Sequence, residues 1–513
     1  MMTLFRRSSL ALGLSLFMAG AVYAQDLHIS MYADITGMDP QDTSDNISYS
    51  VQSGVFERLF QFDPAMKLIP WLATGYTSNA DATEFVLTLR KGVTFQDGTP
   101  FDAQAVKVNL DRLADQKKGL KRNSLYNMIS SVTVIAPDQV KIDLNRPFGA
   151  FINTLAHPSA VMWSPAVLNK YPSETELRLH PVGTGPFTFV DWQPGKEVHL
   201  EKYAGYWDKG WPKVDNVYFS PSPEDATRVA ELKSGQVDAI YPLPSDLAVS
   251  LKDDSKLDIQ RDPSIYMYYM AVNNQHKPLG DVRVRQALNY AIDREIWLKV
   301  AFAGMGTPAT SAMPVGVQFY QKQTDPKYSY DPAKAKALLA AAGYPRGLDL
   351  KLWCTNTTSA VRAAQFLKAQ LAASGIRLTI TPMDSGMRDA KLWGVTQPAK
   401  AGFDLYYGGW STSTGDADWA LRPLYATQSW VPVSYNVSYY SNPAVDKAIN
   451  EGLATADPAK RAAAYADAQK ILWKDAPVTF LGTPDNLVGK RKNLSGVSML
   501  PDGNLLFTHA QFH

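Results

Sequence analysis

Cysteine is almost missing from this sequence. Cys354 is the single one in 513 residues, so no internal disulfide can form. Histidine is scarce too, with seven copies, and no Cys/His cluster has zinc-like spacing. His157 and His180 sit in His-Pro steps without metal-ligand neighbours, which favours a structural reading of both. No G-x-S-x-G elbow, P-loop or H-E-x-x-H segment occurs, so the familiar hydrolase, nucleotide and zinc-protease signatures are excluded. There is no excess of one charge either: 51 basic residues face 49 acidic ones. That balance gives no reason to expect nucleic acid or an anionic membrane as partner. Beyond the first 24 residues no run is apolar enough to read as a membrane span.

The first 24 residues stand apart. Arg6 and Arg7 make a positive region, Leu10 to Met18 is an apolar run, and Ala21-Val22-Tyr23-Ala24 puts Val22 and Ala24 at the cleavage positions. This reads as a secretory signal peptide over 1–24, cleaved after Ala24 and too short for a stable span. No cysteine follows the run to carry a lipid anchor. Arg6 and Arg7 are the only charged residues in the segment, so its removal leaves 49 basic and 49 acidic residues.

What remains is a large globular chain, 45% hydrophobic and 19% charged. A single core rarely grows this large, so more than one domain is expected. Strand and helix signals alternate. Phe85 to Leu89, Val132 to Ile135 and Val140 to Leu144 read as strands. Asp97-Gly98-Thr99-Pro100 is a turn, after which Asp102 caps a helix carrying Val106 and Leu110. Asp331-Pro332 opens a helix with Ala335, Leu338, Leu339 and Ala342 on one stripe, ended by Gly343. Leu348, Leu350 and Leu352 alternate along a strand, a helix follows with Ala360, Ala364, Leu367 and Leu371, and Arg377 to Ile380 is a second strand. Such a β-α-β unit implies parallel strands and α/β architecture. No long linker divides the chain, which suggests that it crosses between domains more than once.

Four segments bear on chemistry. Gly183-Thr184-Gly185-Pro186 is a glycine-rich turn, but its proline lacks a backbone donor and makes a poor phosphate cradle. Gly408 to Trp419 follows an apolar strand and combines glycines, hydroxyls, carboxylates and two tryptophans; it reads either as a ligand loop or as a polar turn with tryptophans packed beneath. Pro382 to Arg388 offers Asp384 and Arg388 four residues apart, either for ligand or as a helix-surface pair. Lys121 to Tyr126 includes Arg122 and otherwise reads as a solvated loop.

These segments occur in a recognisable order. With Leu59-Phe60-Gln61-Phe62-Asp63, Leu89 to Gly98, Pro181 to Phe187, Ala204-Gly205-Tyr206-Trp207, Val282 to Asp293 and Tyr440-Ser441-Asn442-Pro443, the mature chain resembles the family 5 extracellular solute-binding proteins. These serve dipeptide, oligopeptide, nickel and glutathione ABC transporters. Gly409 to Leu421, Leu155 to Pro158 and Val300 to Gly304 are most similar to the glutathione-binding branch. The resemblance implies an α/β fold of two lobes joined by a hinge, with an extra domain on the first lobe. It would divide the chain into a first lobe of 25–63, 183–277 and 478–513, an extra domain of 64–182 and a second lobe of 278–477. The hinge would be crossed near Pro278 and Pro477.

It further implies a binding protein rather than an enzyme, without cofactor, monomeric and periplasmic. Its expected partners are a small peptide ligand and an inner-membrane ABC permease. The ligand wall would draw on Asp45, Asn46, Arg122, Tyr268, Asn356, Asp384, Arg388, Trp410, Ser411, Thr412, Ser413 and Asp416. Dipeptide binders anchor the ligand's amino terminus with an aspartate where Ser413 stands. They anchor its carboxylate with an arginine in a loop that here, Cys354 to Ser359, is short and has none. A simple dipeptide therefore fits poorly. Glutathione carries one ammonium and two carboxylates, a count matched by Asp384 with Arg122 and Arg388. Other peptides, a metal or haem chelate, and a secreted hydrolase are the alternatives.

Overall fold

A computed structural model describes residues 25–513. The signal peptide expected over 1–24 lies outside the described residues. Three sheets organise the chain. The first has seven strands in the order Leu257–Asp262, Asn486–Arg491, Ala239–Tyr241, Asp26–Met31, Asn216–Pro221, Glu197–Lys202 and Phe187–Gln193. Its central strand, Asp26–Met31, pairs in parallel with both neighbours, while the outer pairs are antiparallel. Leu27, Ile29 and Met31 alternate onto one face and are wholly buried there, as the period of two requires.

The second sheet has six strands: Gly306–Pro308, Val478–Pro484, Tyr266–Val272, Leu405–Ser411, Leu348–Thr355 and Ile376–Met383. Leu348–Thr355 is parallel to both neighbours and is followed by the helix Thr358–Ala372, the crossover that parallel pairing needs. The helix Pro332–Ala341 begins where Asp331 accepts the Lys334 backbone N–H at 2.8 Å.

A four-stranded antiparallel sheet, Ala73–Ser78, Glu84–Leu89, Gln139–Leu144 and Ile129–Ala136, forms between the strands of the first lobe along the chain. Phe85, Leu87 and Leu89 point into its core with Val140 and Ile142. That core continues into the one beneath the six-stranded sheet, whereas the seven-stranded sheet keeps a separate core.

The crossings between lobes lie elsewhere than expected. Tyr266–Val272 and Val478–Pro484 are hydrogen-bonded to each other inside the six-stranded sheet. The chain therefore changes sheet at 263–265 and at Asp485, in place of Pro278 and Pro477. Those two prolines precede the helix Val282–Tyr290 and the strand Val478–Pro484; they mark element boundaries within one lobe. Arg261 and Asp485 form an ion pair beside the crossings.

Candidate functional site

The strand Tyr266–Val272 borders the crossings, and its first residues face the gap between lobes. Tyr266 stands opposite Ser411, and Tyr268 opposite Gly409, in antiparallel register. Tyr266 keeps 37% of its surface open and Tyr32, from the first lobe, 46%. Burial nevertheless raises both phenol pKa values. Tyr266 lines a cavity at the second lobe with Arg388 and Gly409, and a neighbouring cavity opens between the lobes as a cleft.

The two sides of this cleft meet at Asp502. Its carbonyl oxygen accepts the Asn46 side-chain amide at 2.9 Å, and the Ser411 hydroxyl approaches the same oxygen at 3.5 Å. Asn46 opens the helix Asn46–Gln52, whose cap is Asp45; that carboxylate accepts the Ser48 N–H at 2.8 Å and the Thr36 hydroxyl at 3.0 Å. Asp45 also lies near enough to Tyr32 for its charge to help raise that phenol. Arg122 comes from the extra domain, half-buried. Its Nη2 donates to the Ser44 carbonyl at 3.0 Å, and its Nε is buried without a partner. Behind it, burial pushes the Tyr49 phenol up to about 12, with Arg122 pulling the other way.

On the second lobe Arg388 lies in the helix Ser385–Trp393. It pairs with Asp389, Nη2 to Oδ1 at 2.7 Å, and not with Asp384. Asp384 caps this helix by accepting the Met387 N–H at 2.8 Å and is exposed. The Arg388 charge also acts on Tyr266 and Tyr406. A cavity of about 90 Å³ lies against Tyr268, Thr355, Ser359, Arg388 and Gly409. A larger one of about 650 Å³ shares Phe302, Thr357 and Ser359 with it and reaches the first lobe at Asp225 and Pro242. Asn356 is exposed between these threonines, its backbone N–H on the Met383 carbonyl at 2.9 Å.

The loop after the glycines divides. Trp410 is half-buried, its Nε1 on the Trp419 carbonyl at 2.7 Å and its ring 4.8 Å from Tyr435. Ser411 and Ser413 remain partly open. Thr412 and Asp416 are corrections to the expected ligand wall, for both are 0% exposed. Asp416 Oδ1 is taken by Arg461 at 2.8 Å and by the Asp418 N–H at 2.9 Å, where it caps the helix Ala417–Tyr425. Burial holds its carboxyl above the ordinary range against the pull of Arg461. It fixes the loop from behind.

Sequence reasoning missed Tyr32, Tyr266, Tyr406 and the Asp502 carbonyl. A tyrosine in an apolar strand reads as core, and a backbone carbonyl leaves no residue signature. Chemically, the cleft offers guanidinium groups, phenol faces, hydroxyls and backbone carbonyls, a set suited to holding a small zwitterion. The Ser159 hydroxyl lies 2.8 Å from His157 Nδ1, as a nucleophile would from its base, yet Ser159 is 0% exposed and cannot meet a substrate. Among the described residues no group of three His, Cys, Asp or Glu could hold a metal ion.

Comparison with known proteins fits this architecture. Glutathione-binding protein GsiB of Pectobacterium atrosepticum is 42% identical over 512 residues, covering 99% of each chain. The protein of the same name from Salmonella choleraesuis is 41% identical over 503 residues, 98% of this chain and 97% of that one. Among solved structures, HbpA2 from Haemophilus parasuis superposes with a TM-score of 0.82 at 26% identity, over 95% of this chain and all of that one. The family model described as "Bacterial extracellular solute-binding proteins, family 5 Middle" matches residues 67–431. The chain belongs to the family 5 bacterial extracellular solute-binding proteins.

Proposed function

We propose that this protein is the periplasmic binding component of an ABC importer and captures glutathione, or a short peptide of like charge, between its lobes without turnover. The observation that carries the reading is the cavity of about 650 Å³ that runs between the lobes beside the smaller one at Arg388. Arg122 has a buried Nε without a partner, and Arg388 is only part-neutralised by one carboxylate. Two ligand carboxylates satisfy both through charge-assisted hydrogen bonds. Asp45 and Asp384 are the acids on which the ligand ammonium would settle. The similarity to glutathione-binding proteins supports the same ligand. Such a protein works as a monomer that closes on its ligand, and closure is favoured by contacts the open form lacks. Export through the 1–24 segment, with cleavage after Ala24, completes the reading.

Mass spectrometry of small molecules released from the denatured purified protein tests it. Glutathione or a γ-linked peptide is the expected species; a haem or metal chelate in its place would contradict the proposal.

A further inference from the structure

A cavity of about 880 Å³ lies outside the cleft, where the four-stranded sheet meets the lobe of the six-stranded sheet. Its walls come from 60–76 and 149–153 on one side and from 316–320 and 456–461 on the other. It shares no residue with the two cavities at the cleft. A space of this size is in the range that holds small ligands. Phe60, Met66, Ile152, Val317, Phe319 and Tyr320 give it apolar walls, and the only charged residues that line it are Lys67 and Arg461. Nearby acids are engaged elsewhere. Asp63 accepts the Ala65 and Lys67 N–H groups at 2.9 Å each, and Asp457 caps its own helix by accepting the Ala459 N–H at 2.8 Å. Lys67 is exposed, and no ion pair among the described residues involves it.

Two buried polar side chains on these walls are only partly used. Arg461 is 4% exposed. Its Nε donates to the Gly452 carbonyl at 2.9 Å, and its Nη2 to Asp416 Oδ1 at 2.8 Å and Tyr465 Oη at 3.4 Å. Its Nη1 has no hydrogen-bond partner among the described residues. Asn153, 8% exposed, donates from Nδ2 to the Thr414 carbonyl at 3.0 Å, while no described residue donates to its Oδ1. A donor and an acceptor left open at one cavity need a polar partner there. Water satisfies both atoms but gains nothing from the apolar side chains around them. Two of those side chains are also held against their backbone preference. Met66 has φ 59° and Phe319 φ 69°, in the left-handed region that bulky residues avoid. The Phe319 ring centre lies 5.0 Å from the Arg461 guanidinium carbon. Backbone strain of this kind collects at ligand sites.

We propose that this cavity is a second binding site, for a small amphipathic carboxylate. The apolar chain of the ligand lies along Phe60, Met66, Ile152 and Phe319. Its carboxylate accepts from Arg461 Nη1, and an N–H beside the carboxylate donates to Asn153 Oδ1. Asp416 neutralises Arg461 from behind, so Lys67 at the rim supplies the net positive charge. An N-acyl amino acid has all of these parts. The site is independent of whatever the cleft holds.

Calorimetry with N-octanoylglycine, beside octylammonium as the opposite charge on a chain of like length, tests it. Saturable binding of the first and none of the second is expected, and it persists when glutathione is present in excess. Lys67→Glu reverses the rim charge, and Gln318→Trp fills the cavity from an exposed position. Each is expected to weaken N-octanoylglycine by about tenfold, with glutathione affinity and melting temperature unchanged. Ala65→Trp, exposed on the opposite wall, repeats the filling test should Gln318→Trp fail to fold. No heat with N-octanoylglycine, equal heat with octylammonium, displacement by glutathione, or wild-type affinity in the folded variants would overturn the second site. Absence of heat with glutathione would contradict only the proposed ligand of the cleft, and the variants would still decide the second site.

Discussion

Arg122 is tied to Ser44, 78 residues earlier in the chain, by a hydrogen bond from Nη2 to the carbonyl oxygen at 3.0 Å. Its Nε is buried without a hydrogen-bond partner, and its charge acts on the buried Tyr49 and His157. Arg388 of the second lobe pairs with Asp389, and its charge acts on the Tyr406 phenol.

On the proposed reading, removing either charge removes a partner for the ligand while leaving the local fold in place. Arg122→Ala and Arg388→Ala should each cost about 2–5 kcal/mol of binding, the usual range for truncating a paired charge in a desolvated site. Calorimetry with glutathione checks this. Asp384→Asn separates the cap from the ligand role, because asparagine still caps the helix well. Wild-type affinity in both arginine variants would remove them from the site.

His157 predicts a pH dependence. Burial, then the charges of Arg122 and Arg58, hold the ring well below its ordinary 6.5. The Tyr49 ring meets it edge-on at 5.8 Å, and Ser159 bonds its Nδ1. Below about pH 6.5 the unfolded chain takes a proton that the folded chain refuses, so stability falls as pH falls. Each pH unit below that point costs up to about 1.4 kcal/mol. His157→Asn should flatten the slope between about pH 7.5 and about 5.5 in urea unfolding. An equal slope in wild type and variant would show that the ring titrates normally.

Cys354 should be inert. It is 0% exposed at the end of a strand, and burial raises its thiol to about 11. The thiolate that would attack a disulfide is therefore scarce at neutral pH. The intact mass after incubation with excess oxidised glutathione is expected to be unchanged. A stoichiometric mixed disulfide on the folded protein would make redox state part of recognition.

The sheet cores were legible because burial there follows a simple period. Leu348, Leu350, Leu352 and Cys354 share one parity, and all four are buried. The helix starts at Asp102 and Asp331 were readable from their caps. The cleft was harder to read. Asp416 sits in a segment rich in hydroxyls and carboxylates, but its partner Arg461 is distant in sequence and nothing local announces a buried ion pair. Asp384 and Arg388 have helical spacing, yet the cap and Asp389 claim them separately. Tyr266 lines its cavity only through the packing of strands and helices distant in sequence. The crossings were displaced because Pro278 and Pro477 advertise breaks, whereas 263–265 and Asp485 carry the change of sheet.

Calorimetric titration of the purified mature protein with glutathione, beside a simple dipeptide such as alanyl-alanine, tests the central claim most directly. The predicted result is saturable one-to-one heat with glutathione and little with the dipeptide, the added glutathione being recovered chemically unchanged. Tight dipeptide binding with no heat from glutathione would contradict the account of the cleft.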